Sequence, residues 1–441
     1  MSKKFFSFLF VIFFVKCVLA SFIPLVADET YYYIWSLYPK LSYFDHPAMV
    51  SWLIYLGTHT IVFHHPLAIR FFFILLGTGT LAVWLHLLKR KNTTEQQQLF
   101  FLALLVLNPL LGIGSILATP DVPLVFFWSL SYLFYLKILD PSLDNKQLRW
   151  YFLLGSALGL GFCSKYHIVL FVIAAIINLL FSKKIKQLRP LGILVTIVVG
   201  FIFSLPVLVW NYQHHWASFL FQINHGFGRT YYNFEWTWGY LAGQILILSP
   251  FVVISLFSSL NKSADCTFSL SQIIFFLTST FKSVVEANWP IVAHPHAISH
   301  FIVNTERKKV LWTFYYWFAI YLIIAVMLVT GVGQALLKNQ YTSSDVQILE
   351  SVAKNYKPLY GPTYQISSLL SWQTELLIPK LKGFSRKDFF DDLLISAPSD
   401  KKFFVLKETG SGWPSYLSTA RFEKLESFDK LSLELYQVTN D

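Results

Sequence analysis

Long apolar runs separated by short polar segments fill this chain from its start to about residue 330. From about residue 331 the chain changes to Ser-, Thr-, Lys- and Asp-rich segments with short strand-like and helix-like stretches, such as the alternating 401–406. The pattern predicts a membrane domain over 1–330 and a small soluble α/β domain over 331–441. Runs near the ~20 residues that cross a bilayer's hydrocarbon core lie at 5–27, 67–88, 99–118, 122–139, 191–210, 240–260 and 310–330.

Basic clusters between these runs set the number of crossings. Cytoplasmic loops carry an excess of Lys and Arg, so an even number of crossings must separate successive clusters. Two apolar regions with basic residues at both ends, 150–182 and 268–306, must each cross out and back. About eleven spans result, with the N-terminus in the cytoplasm and the 331–441 domain outside. The basic clusters lie at 3–4, 89–91, 146–149, 183–189, 262 and 307–309.

Polar interruptions mark where the two out-and-back regions turn. In 150–182 the turn carries Lys165, and its two arms are shorter than an upright span, so we expect the turn to be recessed in protein or in a water-filled cavity. In 268–306 the turn carries Glu286. Aromatic amphipathic stretches within 28–66 and 211–239 are typical of helices at the membrane interface.

The N-terminal run has two interpretations. A short basic start before an apolar run is compatible with a cleavable secretory signal. Lys16 lies within the apolar core of that run, where a charge disfavours a signal but suits a retained span whose lysine faces the bundle interior. We therefore expect a retained first span.

Composition agrees with lipid as the solvent. Hydrophobic residues make up 55% of the 441 residues and charged residues 13%, and the mean hydropathy is +0.52. The net charge of +11 comes from short loop clusters, which argues against nucleic acid as a partner. Three cysteines, two of them inside apolar runs, imply no disulfide framework.

Charged residues that could do chemistry gather at the outer face under this topology. Charges at membrane depth cost about 2.5–3.5 kcal/mol each, so they pair, face a cavity or serve function. Lys165 and Arg70 suit anion binding, although an ion pair with Asp121 or Glu286 would also explain Lys165. The set is Asp28, Glu29, Asp45, His46, Arg70, Asp121, Lys165, Glu235 and Glu286.

The acidic residues of this set each have a structural and a functional interpretation. Asp28 and Glu29 could cap a helix, or one could be a general base that takes a proton from a hydroxyl acceptor. Asp45 and His46 could form an interfacial turn or orient a substrate. Asp121 could cap the span that follows it.

No cofactor signature accompanies these residues. The sequence contains no P-loop, Gly-x-Gly-x-x-Gly cradle or zinc signature, so the energy for any reaction must come from the substrate. His294, His296 and His300 only loosely match metal-ligand spacing, and we interpret them as structural or lipid-facing groups. Metal dependence stays open, because carboxylates beside a phosphate can recruit a divalent cation.

Several short blocks together resemble one family. The chain is similar, over about 1–330, to the GT-C fold glycosyltransferases that use polyprenyl-phosphate sugars, as bacterial relatives of the dolichyl-phosphate-mannose protein mannosyltransferases. Each block is weak alone, but the ordered set is specific. The blocks are Ala-Asp-Glu-Thr-Tyr-Tyr at 27–32, Tyr-Phe-Asp-His-Pro at 43–47, Thr-Pro-Asp at 119–121, Ser-Lys-Tyr at 164–166, Leu-Val-Trp-Asn at 208–211, His-Trp-Ala-Ser-Phe at 215–219 and Glu-Ala-Asn-Trp-Pro at 286–290.

The resemblance implies roles for individual residues. Asp28 would be the general base, with Glu29 as helper or alternative, and Lys165 with Arg70 would hold the donor's phosphate. The reaction would invert the anomeric carbon by direct attack. An ionised phosphate is a good leaving group, so no general acid is required. Six further residues would bind substrate, namely Asp45, His46, Asp121, Tyr166, Glu286 and Asn288.

The resemblance also implies a substrate class and a location. The family includes enzymes that put aminoarabinose or galacturonate on lipid A, as well as protein O-mannosyltransferases. Without the long lumenal module of eukaryotic members, the chain is expected to act on lipid A or lipopolysaccharide core rather than protein, at the outer face of a bacterial inner membrane. The alternatives are a carrier or flippase for lipid-linked sugars, since many spans with buried charge suit either, and a structural scaffold, which would leave Lys165 unexplained.

Overall fold

A computed structural model of the protein describes residues 3–62, 64–141, 148–258, 263–330, 343–393, 398 and 400–440. The chain forms two compact units. The first comprises Met1–Ile23 and Leu41–Gly331, and the second comprises Pro24–Lys40 and Val332–Asp441. Lys146 and Lys262, which the topology prediction uses, lie outside the described residues.

The first unit is a bundle of α-helices. Numbered in chain order, with α2 (Ala27–Leu37) in the second unit, these are α1 Lys3–Phe22, α3 Met49–Thr60, α4 Pro66–Arg90, α5 Glu95–Leu107, α6 Asp121–Ile138, α7 Leu148–Ser164, α8 Leu170–Ser182, α9 Pro190–Gln213, α10 Ala217–Phe227, α11 Phe234–Leu248, α12 Pro250–Ser258, α13 Ala264–Ser279, α14 Ala293–Asn304 and α15 Arg307–Val329. The predicted all-α membrane bundle with a small C-terminal α/β domain is confirmed.

Five of the described helices are long and apolar enough to cross a bilayer: α1, α4, α6, α9 and α15. Each coincides with a run predicted from the sequence. The bent pair α11–α12 would make a sixth span. The protein is therefore a multi-pass membrane protein, whereas the number of eleven crossings stays a prediction.

The apolar run 99–118 is not a single helix, contrary to the expectation. Helix α5 ends at Leu107. The side-chain oxygen of Asn108 accepts hydrogen bonds from the backbone amides of Leu110 and Leu111, both at 3.1 Å. This local turn competes with helical hydrogen bonding and ends the helix.

The run 240–260 is also not one continuous helix. Helices α11 and α12 meet at 100°. Ser249, between them, has a φ of 75°, and Pro250 starts the next helix. Proline disfavours the helical conformation for the residue before it, so the chain turns here rather than continuing.

Helices α7 and α9 approach closely along a stripe of glycines. A Cβ on Gly159 would lie 2.6 Å from the carbonyl oxygen of Gly200, and one on Gly155 would lie 2.6 Å from that of Thr196. Glycines four residues apart let two helix backbones pack in a membrane, where dispersion contacts replace the hydrophobic effect as the driving force. This contact fixes α7, which leads directly to Lys165.

The first span carries its lysine inward, as predicted. Lys16 is buried, and its ammonium donates a hydrogen bond to the Ser115 hydroxyl at 2.5 Å. A lysine that faced lipid would lack any such acceptor. The contact supports the interpretation of this run as a retained helix.

The second unit contains a four-stranded sheet in the order β1-β2-β4-β3. Strand β1 runs parallel to β2, and β4 pairs antiparallel with both β2 and β3. The strand predicted at 401–406 is therefore present as β2. The elements are α16 Ser343–Asn355, β1 Leu359–Tyr360, α17 Tyr364–Thr374, α18 Phe389–Asp392, β2 Lys402–Glu408, β3 Arg421–Phe428 and β4 Leu433–Thr439.

Helix α2 packs against the C-terminal elements of this unit. The Thr30 hydroxyl lies 3.1 Å from that of Ser368 on α17. The Tyr31 hydroxyl accepts a hydrogen bond from the backbone amide of Phe389 at 2.8 Å. A segment distant in sequence thus completes this unit, while the domain boundary drawn near residue 331 stays a prediction.

Candidate functional site

The break between α7 and α8 positions Lys165. Helix α7 has 17 residues and α8 has 13, so neither alone spans a bilayer. Between them Lys165 has extended backbone angles, and a short 3-10 turn follows at Tyr166–Val169. Lys165 is 7% exposed, which agrees with the recessed turn expected from the sequence.

The ammonium of Lys165 lies in a buried three-residue network. It donates to Asp121 Oδ1 at 2.7 Å, and Asp121 Oδ2 accepts from the Asn288 amide at 2.6 Å. Both charged side chains are 9% exposed. The structure therefore brings together three of the predicted residues, and the ion pair with Asp121, which the sequence offered as an alternative explanation of Lys165, is present.

Lys165 retains hydrogen-bonding capacity beyond this ion pair. An ammonium has three donors. Asp121 takes one, and the other two have no acceptor among the described residues. A cation in this state can take an oxyanion at low cost, because its desolvation has already occurred on folding.

A cavity of about 190 Å³ opens beside Lys165. Apolar and aromatic side chains of α8, α10 and α13 form the rest of its wall. Its polar side chains are those of His46, Lys165, Tyr166, His167, Gln222 and Ser279, and the indole of Trp289 forms part of the wall.

Among the cavity residues that were missing from the predicted site are His167, Gln222 and Trp289. His167, whose Nδ1 is buried without a hydrogen-bond partner in the described structure, belongs to the polar break that identified Lys165, and that signal could have found it. Trp289 lies in one of the matched blocks. Gln222 has no comparable signal, because only folding brings α10 to this position.

The Asp45–His46 loop is a tight turn. Ser42 and Pro47 form an antiparallel bridge, and the Tyr43 amide donates to the His46 carbonyl at 3.2 Å. This fold directs His46 into the cavity, whereas Asp45 is buried and its carbonyl accepts from the Gln222 amide at 2.5 Å. The turn interpretation is correct, and it also presents a predicted substrate residue.

Tyr166 is held in place from two sides. Its hydroxyl lies 2.8 Å from the Ser218 hydroxyl and accepts a hydrogen bond from the Asn211 amide at 3.4 Å. Asn211 and Ser218 belong to the blocks at 208–211 and 215–219. The blocks that resemble the family thus include the residues that fix one wall of the cavity.

Arg70 makes structural contacts. Its guanidinium is fully buried and donates to the carbonyls of Ala20 at 3.1 Å and Ile23 at 2.6 Å. A cation at carbonyls near a helix C-terminus satisfies them and complements the helix dipole. These contacts favour a helix-capping role, and the phosphate-binding role of Arg70 stays a prediction. Glu286 is exposed, and its substrate-binding role likewise stays a prediction.

In the second unit, Asp28 and Glu29 differ in environment. Glu29 is fully buried and its carboxylate accepts from the Val26 amide at 3.1 Å, which caps α2. Asp28 is exposed and accepts from the Tyr364 hydroxyl at 3.2 Å. Exposure leaves Asp28 accessible to an acceptor molecule, and Tyr364 was not assigned from the sequence. The shared site expected for Asp28 and Lys165 stays a prediction.

The three histidines of α14 are inside the protein. All three are at most 1% exposed, so the lipid-facing alternative is wrong. His296 accepts from the Trp128 indole at 2.9 Å, and His294 lies 3.1 Å from the Gln244 side chain. Within the described ranges, no three His, Cys, Asp or Glu residues come close enough to hold a metal ion.

One segment of the chain matches a known protein family. Residues 45–210 match the family described as dolichyl-phosphate-mannose-protein mannosyltransferase. This segment contains His46, Asp121, Lys165 and Tyr166. The resemblance to GT-C glycosyltransferases predicted from the sequence is confirmed.

Two known transferases are similar to part of this chain. The chain is 25% identical over 187 residues to the lipid A galacturonosyltransferase RgtD of Rhizobium johnstonii. It is 31% identical over 170 residues to the undecaprenyl phosphate-alpha-4-amino-4-deoxy-L-arabinose arabinosyl transferase 2 of Pseudomonas fluorescens. These matches span 42% and 38% of this chain, but only 38% and 30% of the two relatives.

Solved structures agree over the whole length. The fold matches the crystal structure of ArnT from Cupriavidus metallidurans bound to undecaprenyl phosphate, with a TM-score of 0.71 and 11% identity over 98% of this chain and 97% of that chain. The apo structure of the same protein gives a TM-score of 0.68 at 12% identity, with the same coverage. The chain therefore has the same fold as ArnT across both of its units.

Proposed function

We propose that this protein is a glycosyltransferase of the bacterial inner membrane that moves a sugar from a polyprenyl-phosphate donor to a glycolipid acceptor on the extracytoplasmic side. The N-terminus would be cytoplasmic and the C-terminal domain periplasmic. The observation that carries the proposal is the buried Lys165 ammonium, which faces a cavity and has two donors without an acceptor in the described part of the chain. The relatives and the ArnT fold support the substrate class.

The first step is binding of the donor phosphate by Lys165. Asp121 and Asn288 keep the ammonium at the cavity wall, so binding requires little reorganisation. Low dielectric strengthens the attraction between the ammonium and a phosphate oxygen. His46 and His167 line the same cavity, and the buried Nδ1 of His167 has no hydrogen-bond partner among the described residues.

The chemical step is a direct displacement at the anomeric carbon. An acceptor hydroxyl oxygen forms the new bond to that carbon while the bond from the carbon to the phosphate oxygen breaks. Asp28 takes the hydroxyl proton, and the polyprenyl phosphate leaves as an anion that Lys165 stabilises. The phosphate needs no proton to leave, so one base and one cation suffice, and the configuration inverts.

The acceptor proposed is lipid A or the lipopolysaccharide core. The curated relative RgtD is a lipid A galacturonosyltransferase, and the fold neighbour ArnT was crystallised with undecaprenyl phosphate. Protein is the lesser alternative, since the matching family is described by protein mannosyltransferases.

Two pairs of variants test the roles in purified full-length protein. Lys165→Met should weaken donor binding by about tenfold or more, because it removes a charged hydrogen bond in a buried site. The control is Lys186→Met, which replaces an exposed lysine and should leave donor binding unchanged. Asp28→Asn should abolish transfer but keep donor affinity, while Glu426→Gln on β3 keeps both. Unchanged donor affinity in Lys165→Met, or normal turnover in Asp28→Asn, would overturn the assigned roles.

A further inference from the structure

A second polar cavity lies at the opposite end of the helical unit from Lys165. Helix α6 starts at Asp121, which contacts Lys165, and the chain reaches Asp140 just after the helix ends. Eighteen helical residues rise about 27 Å, so the two ends are well separated. At the Asp140 end, a cavity of about 470 Å³ is lined by the ends of α4, α6, α8 and α14 and the start of α13.

The floor of this cavity is a buried hydrogen-bonded network around Asp265. Lys91 forms an ion pair with Asp265 and also donates to the Ser299 hydroxyl at 2.9 Å. The Tyr132 hydroxyl donates to Asp265 at 2.6 Å, and His296 Nδ1 lies 3.6 Å from the same oxygen. Lys91 balances the negative charge of Asp265 and the Tyr132 hydroxyl adds a hydrogen bond, which leaves the floor without excess negative charge.

The wall carries one cation that no described acidic residue compensates. Arg90 is paired with Asp140 at 2.5 Å. Lys184 also lines the cavity, and it forms no ion pair with any described residue. Lys183 adopts a left-handed φ of 57°, and the Lys184 amide bonds back to the Leu179 carbonyl at 3.1 Å. This turn anchors Lys184 at the end of α8, within reach of the cavity.

We propose that this cavity binds a phosphate group, either on the headgroup of an anionic lipid or as free phosphate. Three cations among the described residues line it against two carboxylates that are already paired, and the Asn178 amide lines it too and supplies a neutral donor. Basic pockets between transmembrane helices are a recurring mode of anionic headgroup binding. The proposed topology places this end at the cytoplasmic face, but the site does not depend on the proposed transfer reaction.

The test uses delipidated full-length protein and two probes at constant ionic strength. Inorganic phosphate is titrated in detergent, and phosphatidylglycerol is compared with phosphatidylcholine in nanodiscs, with the unfolding temperature as readout. Wild type, Lys186→Gln and Lys165→Met should all be stabilised by the phosphate probe. Lys184→Gln should need about tenfold more of it, as expected for one lost charged hydrogen bond.

The outcomes separate the sources and the alternatives. Stabilisation by inorganic phosphate identifies a site for the free anion, and stabilisation by phosphatidylglycerol alone identifies a headgroup site. No stabilisation by either probe would overturn the proposal, since the cations would then only offset the carbonyl ends of the surrounding helices. A response lost in Lys165→Met but kept in Lys184→Gln would assign the effect to the donor site and overturn it as well.

Discussion

Replacing Asp121 by asparagine tests the buried network directly. The substitution keeps the shape of the side chain but removes the charge that balances the Lys165 ammonium. Lys165 then has no anionic partner among the described residues, because Asp121 is the only carboxylate within 4 Å of it there. An uncompensated ammonium in a buried site is costly, so the folded state should lose stability.

The size of the loss follows from the burial of the pair. Both side chains are 9% exposed and their charged atoms are 2.7 Å apart. Breaking a buried pair by removing one partner costs about 3–5 kcal/mol, whereas an exposed pair is worth at most about 1 kcal/mol. Asparagine keeps a weak acceptor for Lys165, which places the expected loss for Asp121→Asn near 3 kcal/mol.

A double-mutant cycle isolates the interaction. The free energy of unfolding is measured in denaturant for Asp121→Asn, Lys165→Met and the double variant. Removing both charges leaves no unpaired ion, so the double variant should be more stable than the sum of the single losses predicts, by about 2 kcal/mol. Donor binding should stay weak in the double variant, because its phosphate partner is still missing.

Two results would refute this reasoning. One is a loss below about 1 kcal/mol for Asp121→Asn, which is the range of a solvent-exposed pair. The other is additivity of the two single variants, which would mean that the contact carries no coupling energy.

The other predictions concern packing, capping and pH. Gly159→Ala should destabilise the protein by about 1–3 kcal/mol, because the new Cβ would clash with α9. Gly243→Ala is the control, since a Cβ there meets open space and should cost no stability. Thermal unfolding of the two variants and the wild type measures the difference. Thr363→Ala removes the acceptor that caps α17 and should cost about 1 kcal/mol of unfolding free energy. Burial raises the pKa of Asp388 to about 6 despite its ion pair with Lys380. A raised pKa stabilises the folded state at low pH, so the free energy of unfolding should fall by about 2 kcal/mol between pH 4 and 7. Asp388→Asn should show a smaller fall, and an identical pH dependence in both proteins would contradict this.

The sequence predicted the elements whose cause is local. Apolar length placed α4, α6 and α9 within a few residues of their observed ends, and the parity of basic clusters led to a recessed turn at Lys165. Charge at membrane depth also identified Lys16 as facing the interior. Each of these predictions depends on one physical requirement, the cost of exposing a charge or a polar backbone to lipid. Residues close together in the sequence are enough to estimate that cost.

Features set by tertiary contacts were missed. Hydropathy did not detect the turn at Asn108 or the bend at Ser249, because the residues around both are mostly apolar. The single residues that cause them, Asn108 and Pro250, are local signals that an average over a whole apolar run does not register. Gln222 and Tyr364 reach their positions through helices far away in sequence. The carbonyls that Arg70 contacts come from the end of α1, far away in sequence, so charge at membrane depth did not reveal them.

The most direct test of the proposed function is sugar transfer by the purified protein in detergent, where no bilayer separates two compartments. Undecaprenyl-phosphate sugar and lipid A are supplied, and mass spectrometry follows the acceptor. The proposal predicts lipid A heavier by one sugar residue, with stoichiometric release of undecaprenyl phosphate, from wild type and not from Asp28→Asn. The contrary result has two parts: the acceptor stays unmodified and the donor stays intact in this assay, and the same protein translocates the donor across the membrane of liposomes. That result would contradict a transferase and favour a flippase.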